Sequence, residues 1–252
     1  MKKAKVITIA NHKGGVGKTT TTASVGSILS KKGYRVLLID LDAQANLTGS
    51  LLKQEVGASI YEALVSQSSS KMPIYDINAN LAIVPASLQL AQADLELAGT
   101  MAREHILSDL IEQYIEQYDY ILIDCPPSLG LMTLNALAAS DYVIIPLIAE
   151  ALPVNGLTMI CNFINLVKRK LNPKIEILGV LITRFEATNL SRNIEMRLRS
   201  TLSELVFATK IRKNVTVAQA PLEIKNIVDF DSKSNGAKDY NSFTDEFLEK
   251  IR

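Results

Sequence analysis

Three stretches of this 252-residue chain carry side chains of the kinds that hold phosphate and a divalent cation. Lys13-Gly14-Gly15-Val16-Gly17-Lys18-Thr19-Thr20 lies between an apolar run over 6–10 and a helix-competent stretch beginning near Thr19. Glycines let backbone N–H groups crowd around anionic oxygens, and a helix N-terminus adds a partial positive charge. Strand, glycine-rich turn and helix is therefore an arrangement that wraps a polyphosphate. In it Lys18 reaches the β- and γ-phosphates, and the Thr19 hydroxyl is placed to ligate Mg²⁺. Val36-Leu37-Leu38-Ile39 ends in Asp40-Leu41-Asp42, and Tyr120-Ile121-Leu122-Ile123 ends in Asp124. Strand ends of this kind form the ligand crevice of an open α/β sheet. An apolar strand delivering one Asp is the Walker B arrangement, whose carboxylate holds the Mg²⁺, commonly through water. Asp40 has a second reading, as a carboxylate that caps a helix or fixes a loop.

The elements that position these groups follow from the hydrophobic pattern. Strands are expected over 6–10, 36–39, 81–85, 120–124, 142–146 and 177–183, the last being the final clear central strand. Helices are expected from Thr19 to about Lys32, with Gly33 as C-cap, and over 59–65, 88–98, 105–118, 131–139 and 153 to about 171. The helix over 105–118 puts Ile106, Leu110 and Ile115 on its buried stripe. A basic amphipathic helix over 189–205 buries Leu190, Ile194, Leu198 and Leu202, so that Arg192, Arg197 and Arg199 project outward. Residues 67–71 read as a mobile loop. Continuously apolar strands alternating with helices point to an α/β fold, one domain over 1–252 with a mostly parallel twisted sheet covered by helices on both faces, and the glycine loop after its first strand makes a P-loop NTPase the expectation.

Composition agrees and narrows the setting. Hydrophobic residues make up 48% and aromatics 6%, a balance suited to a helix-covered parallel sheet. Two cysteines, Cys125 and Cys161, exclude a disulfide framework and lack metal-type spacing, which fits a reducing cytosol. Cys125 reads as a small core residue, since no base is placed for it. No signal pattern opens the chain. The longest apolar stretch, 142–154, is broken by Pro146, Glu150 and Pro153 and is not a membrane span. Net charge is +1 but segregated: eleven Lys/Arg stand against four Glu over 168–213, and eight acids against one base over 94–124. A basic segment of this kind is either a nucleic-acid footprint or ordinary solvated helix surface.

The glycine loop departs from the G-x-x-x-x-G-K-[ST] pattern, because His12 stands where the first glycine belongs and Lys13 opens the loop. K-G-G-V-G-K-T-T resembles the deviant Walker A motif of the ParA/MinD family of dimeric ATPases. Asp40 to Asn46 resembles that family's D-x-D-P-Q-x-N segment, with Ala43 replacing the proline. Ile211-Arg-Lys-Asn-Val-Thr-Val-Ala-Gln-Ala-Pro221 resembles its I-P-R-N-V-R-L-x-E-A-P segment, and the likeness continues through Ser234 to Tyr240, covering nearly the whole chain.

The resemblance implies ATP and Mg²⁺ as cofactors, held by Lys13, Gly14, Gly15, Val16, Gly17, Lys18, Thr19 and Thr20. Thr183, Arg184, Arg212, Asn214 and Pro221 would lie on the adenine side. Thr19, Asp42 and Asp124 would stand at the metal; Asp42 would also orient the attacking water, and Asp40 would sit behind the metal's ligands. Lys13 would cross to the nucleotide of a second copy, completing with Lys18, Asp42 and Asp124 the catalytic set of a homodimer that forms in the ATP state. That dimer would bind DNA without sequence preference and partition plasmid or chromosomal DNA, stimulated by a ParB-like centromere-binding partner with a basic N-terminal segment. It would be cytoplasmic and nucleoid-associated, with no membrane partner. The candidate DNA contacts are Lys168, Arg169, Lys170, Arg192, Arg197, Arg199, Lys210, Arg212 and Lys213. Relatives often carry arginine before a T-N-L triplet and in N-V-R, where this chain has Ala187 and Thr216. No helix-turn-helix extension precedes the first strand, so operator binding is not expected.

Three other readings share the machinery. A MinD-type membrane ATPase needs a C-terminal amphipathic helix with basic flanks. The tail has Tyr240, Phe243, Phe247 and Ile251 at helical spacing, but Asp245, Glu246 and Glu249 oppose anionic lipid, so packing against the sheet is expected. A metabolic relative, such as an amidoligase or dethiobiotin synthetase, needs a second substrate pocket and fits Lys13 poorly. A protein cargo positioned on the nucleoid would use the same switch.

Overall fold

The computed structural model describes residues 3–66, 71–149 and 153–251. The loop expected over 67–71 lies almost wholly outside these residues, as do positions 150–152 of the apolar stretch over 142–154.

The chain alternates strand and helix almost throughout. β1 (Lys5–Ile9) enters the glycine loop and leaves it as α1 (Lys18–Lys31), and β2 (Val36–Asp40) leads to α2 (Asn46–Leu51) and α3 (Ile60–Val65). β3 (Tyr75–Asn78) and β4 (Leu81–Val84) precede a 3₁₀ turn at Leu88–Gln92, α4 (Ala93–Glu96) and α5 (Ile106–Glu112). Then come β5 (Tyr120–Asp124), α6 (Leu131–Ala138), β6 (Tyr142–Ile148), α7 (Pro153–Lys170), β7 (Glu176–Phe185) and α8 (Asn189–Leu202). β8 (Val206–Arg212), α9 (Val215–Gln219), α10 (Ile227–Phe230) and α11 (Asn235–Lys250) close the chain.

These strands form one eight-stranded sheet in the order β3-β4-β2-β5-β1-β6-β7-β8, parallel except where β3 pairs antiparallel with β4. Burial on both faces explains why the central strands are continuously apolar: every residue of β2 and β5 is buried. One face packs under α3 to α8 through Ile121, Ile123, Val143, Ile160 and Ile164. The other packs under α1 and α11 through Ile28, Leu38, Leu122 and Phe247. Tyr240, Phe243 and Phe247 of α11 are fully buried, each contributing about 1.5–3 kcal/mol. The C-terminal apolar stripe is thus spent on the sheet, as its acidic flanks foretold. Among the described residues no helix is long and apolar enough to cross a membrane.

Register sets the site. Ile9 of β1 and Asp40 of β2 both lie level with Asp124 of β5, so the glycine loop and the acidic strand ends open at one edge. This is the carboxyl edge of the sheet, where open α/β sheets bind ligands.

Several elements differ from their sequence pattern. β3 and β8, one at each edge, are half-polar strands that present no continuous apolar run. The helix expected over 88–98 is a 3₁₀ turn followed by a single α-turn, and that expected over 105–118 ends at Glu112. In α8 Leu198 is buried and Ile194 and Leu202 pack partly buried against the same core, as expected, but Leu190 is 54% exposed and Ser191 takes its inward place. Arg199, expected to project outward, instead turns to the sheet, for a reason given below.

Candidate functional site

Gly15 (φ +72°) and Gly17 (φ +87°) turn the loop through the left-handed region, which residues with a Cβ avoid. Gly17 is the N-cap of α1 and has no side chain to cap it, so the first-turn N–H groups of Lys18, Thr19 and Thr20 stay available to an anion. The loop is braced from below: Asn11 Nδ2 donates to the Pro146 carbonyl (2.7 Å), Asn11 Oδ1 accepts from the Lys13 N–H (3.1 Å), and Thr183 Oγ1 donates to the Val16 carbonyl (2.8 Å). Lys18 Nζ closes it by donating to the Lys13 carbonyl (3.2 Å). Burial pushes the Lys18 ammonium below the usual lysine range, against the pull of Asp124 and Asp42. The Lys13 side chain is exposed at the start of the loop. His12, in place of the first glycine of the usual pattern, lays its imidazole against Gly156 of α7. A Cβ there would lie 2.7 Å from its Cε1, so a larger residue in that helix turn would displace the imidazole.

Two wholly buried carboxylates face each other behind the loop. Asp40 accepts from the Asp42 N–H (3.1 Å), the Thr48 N–H (2.9 Å) and the Thr48 hydroxyl (2.7 Å), which in turn accepts from the Ala86 N–H (3.0 Å). It therefore fastens the turn between β2 and α2, the loop-fixing role that the sequence left open. Burial pushes the Asp40 carboxyl up to about 6, although its hydrogen bonds oppose this. Burial, and then the Asp40 charge, push Asp124 well above the usual carboxylate range; a Thr19 hydroxyl bond and the Lys18 charge work the other way. Asp124 Oδ1 accepts weakly from Thr22 Oγ1 (3.5 Å), and Asp124 Oδ2 is buried with no partner among the described residues. Like charges at short range in low dielectric, one oxygen of them orphaned, are a site that a divalent cation would complete. No group of three or more His, Cys, Asp or Glu collects among the described residues. Mg²⁺ keeps waters and phosphate oxygens as ligands and uses one or two carboxylates, and Asp124 is placed to be one of them.

A cavity of about 410 Å³ opens over the loop. Gly14, Gly15, Gly17, Lys18, Thr19 and Thr20 form its floor, with Asp42, Gln44, Asn46 and Ser50 on the α2 side. Val217, Ala220, Pro221, Lys225, Asn226 and Ile227 form the rest of the wall. Asp42 Oδ1 accepts from the Gln44 N–H (3.0 Å) and is only partly buried. Of the residues expected near adenine, only Pro221 lines this cavity. Thr183 braces the loop, Asn214 caps α9 by accepting from the Thr216 N–H (2.8 Å), Arg184 is exposed near the end of β7, and Arg212 is held by Asp239. Ser50, Lys225 and Asn226 escaped the sequence reading, because they form no motif by spacing, whereas Asn46 closes the D-x-D-P-Q-x-N-like segment.

Ile224, just before Lys225, sits at φ +50° and ψ +52°, a left-handed conformation costly for a β-branched residue, and its side chain joins neither core. Ile224→Asn is expected to raise unfolding free energy by about 1 kcal/mol, read by urea denaturation.

The basic residues divide into two groups. Arg199 donates to Glu195 (3.0 Å) and, through Nη2, to the Phe207 carbonyl (3.0 Å), because it flanks the buried stripe and reaches the start of β8. Lys210 also binds Glu195 (2.8 Å), Lys213 binds Glu186 (2.8 Å), and Arg212 binds Asp239 through both Nε and Nη2 (2.9 and 2.6 Å). Lys168, Arg169, Lys170, Arg192 and Arg197 are exposed, with no carboxylate partner among the described residues. Cys125 is buried in the core, which pushes its thiol up and leaves it no nucleophile.

Comparison with known proteins agrees with this geometry. Residues 4–177 match the model of an AAA domain. The sporulation initiation inhibitor protein Soj of Bacillus subtilis is 42% identical over 244 residues, covering 94% of this chain and 95% of Soj. The crystal structure of a putative plasmid partition protein from Borrelia burgdorferi bound to AMPPNP superposes with a TM-score of 0.85 at 31% identity, covering 99% of this chain and 100% of that one. A Mycobacterium smegmatis protein described as cobyrinic acid a,c-diamide synthase, with bound ATP analog and magnesium, has a TM-score of 0.85 and 34% identity over 98% of this chain and 96% of its own. With its glycine loop opened by Lys13 and its strand-end carboxylates in register, the chain belongs to the ParA/Soj family of partitioning ATPases.

Proposed function

We propose that this chain is a Mg²⁺-dependent ATPase that dimerises in its ATP state, binds DNA non-specifically, and moves plasmid or chromosomal DNA with a ParB-like centromere-binding partner. It works in the cytoplasm and on the nucleoid. The observation that carries this reading is one loop with a lysine at each end. Lys18 is buried against the cavity, while Lys13 is exposed at the start of the loop, where a second copy would meet it. The first-turn N–H groups of α1 and Lys18 would hold the phosphates, Thr19 and Asp124 the cation, and Asp42 the attacking water. Bound Mg²⁺ would supply charge neutralisation across the phosphate oxygens. Dividing the cationic groups between two subunits makes turnover wait for dimerisation, which is the logic of a switch.

The DNA surface proposed is the set on α7 and α8 with no carboxylate partner among the described residues, with Lys168 and Arg169 beside Asn162 and Asn165 in a shallow depression. Binding should need ATP and fall steeply with salt. Arg192→Ala and Arg197→Ala should each weaken binding to any sequence alike and reduce the salt slope by about 1. Arg212→Ala, by stranding Asp239, should instead lower stability first. Equal binding with ADP, or an unchanged slope in the arginine variants, would remove DNA from the proposal.

The likeness to a protein described as a diamide synthase supports a second reading, an ATP-dependent amidoligase. ATPase activity that stays negligible until a small carboxylic acid is supplied would favour it. Activity raised by DNA and a basic peptide would favour partitioning.

A further inference from the structure

We infer that Ser24 is a nucleotide contact, its hydroxyl hydrogen-bonding the nucleoside portion of the ligand whose phosphates the glycine loop holds. The inference rests on the nucleotide reading of that cavity and names a residue for its far end. Four buried polar side chains line the cavity: Lys18, Ser24, Ser50 and Asn226. Three are engaged within the protein. Lys18 Nζ donates to the Lys13 carbonyl (3.2 Å), and Ser50 Oγ donates to the Leu47 carbonyl (2.8 Å). Asn226 Oδ1 accepts from the N–H groups of Val228 (3.0 Å) and Asp229 (3.1 Å), while its Nδ2 donates to the Asp229 carboxylate. Ser24 is 1% exposed, and its Oγ has no partner among the described residues. A buried hydroxyl left in this state carries an uncompensated desolvation penalty, and buried polar groups are almost always satisfied. In a cavity wall, the missing partner is what enters the cavity.

Position along α1 identifies the part of the ligand. Thr19 and Thr20 belong to the first turn, at the phosphate end. Ser24 lies four residues beyond Thr20, on the same side of the helix and about 6 Å further along its axis. There the wall changes from loop amides to Ala23, Ala220, Pro221 and Ile227. Apolar groups for a flat ring face, with one hydroxyl for a polar edge, are the lining a nucleoside takes. A serine hydroxyl turns about a single side-chain torsion, so Oγ reaches the ligand without movement of the helix.

The test compares wild type and Ser24→Ala by thermal melting and by titration with MgATP and with Mg-tripolyphosphate, which lacks a nucleoside. Alanine removes the unsatisfied hydroxyl and favours helix, so the ligand-free variant should melt about 2–4 °C higher. Its Kd for MgATP should rise about threefold to tenfold, with the Kd for tripolyphosphate unchanged. A Kd for MgATP within twofold of wild type overturns the assignment. Equal losses for both ligands also overturn it, because they would place Ser24 in the packing of the loop. A folded wild type that binds no MgATP sinks the nucleotide reading itself, and that arm separates the two failures.

Discussion

Lys18→Ala is expected to weaken MgATP binding by about 100-fold or more, with the protein still folded. The ammonium is buried beside two carboxylates and spans the loop to the Lys13 carbonyl (3.2 Å), so it is already placed and partly desolvated before a ligand arrives. Charge-assisted hydrogen bonds to phosphate in such a site are worth about 1.5–3 kcal/mol each, and two of them give the stated loss. The variant should stay folded, because among the described residues Nζ gives up a single hydrogen bond, to the carbonyl of exposed Lys13. Calorimetric titration of the variant checks the prediction. Binding within tenfold of wild type would mean that the loop amides alone hold the nucleotide.

Asp42→Ala is expected to do the opposite: keep nucleotide affinity and lose turnover by about 10²- to 10⁴-fold, the range for a group that positions or activates a reactant. Asp42 is only partly buried on the α2 wall of the cavity, and its Oδ1 takes just the Gln44 N–H, leaving Oδ2 for a water. Asp40 sits two residues away yet cannot substitute. Its carboxylate is saturated by Thr48 and the Asp42 N–H and is wholly buried. Asp40→Ala should therefore cost stability at the β2–α2 turn rather than turnover alone. Phosphate release and nucleotide affinity measured side by side on the Asp42 variant separate these roles.

Much of this arrangement is legible in the sequence because it is local. The glycine loop, the continuously apolar strands and their terminal Asp residues each lie within about ten residues, and a doubly covered parallel sheet then puts all their carboxyl ends together. What escapes is what depends on partners far along the chain. Arg199 reads as an outward cation by periodicity, but the edge strand β8 supplies carbonyls that turn it inward. Arg212 reads as an adenine or DNA contact, but Asp239, 27 residues on, takes one edge of its guanidinium through Nε and Nη2. β8 itself is hidden because an edge strand with Thr209, Lys210 and Arg212 lacks an apolar run. The α10 wall is hidden for a related reason: Asn226 caps a four-residue helix, and Ile224 adopts a backbone conformation that its residue type disfavours.

The central claim is that Lys13 acts on the nucleotide of a second copy, and sedimentation velocity tests it most directly. The Asp42→Ala protein, run with MgATP, should sediment as a dimer, and with ADP as a monomer. Adding Lys13→Ala to it should return the ATP-loaded protein to monomer while each chain still binds ATP. A double variant that dimerises as readily as Asp42→Ala, or an Asp42→Ala protein that stays monomeric with ATP bound, would contradict the account.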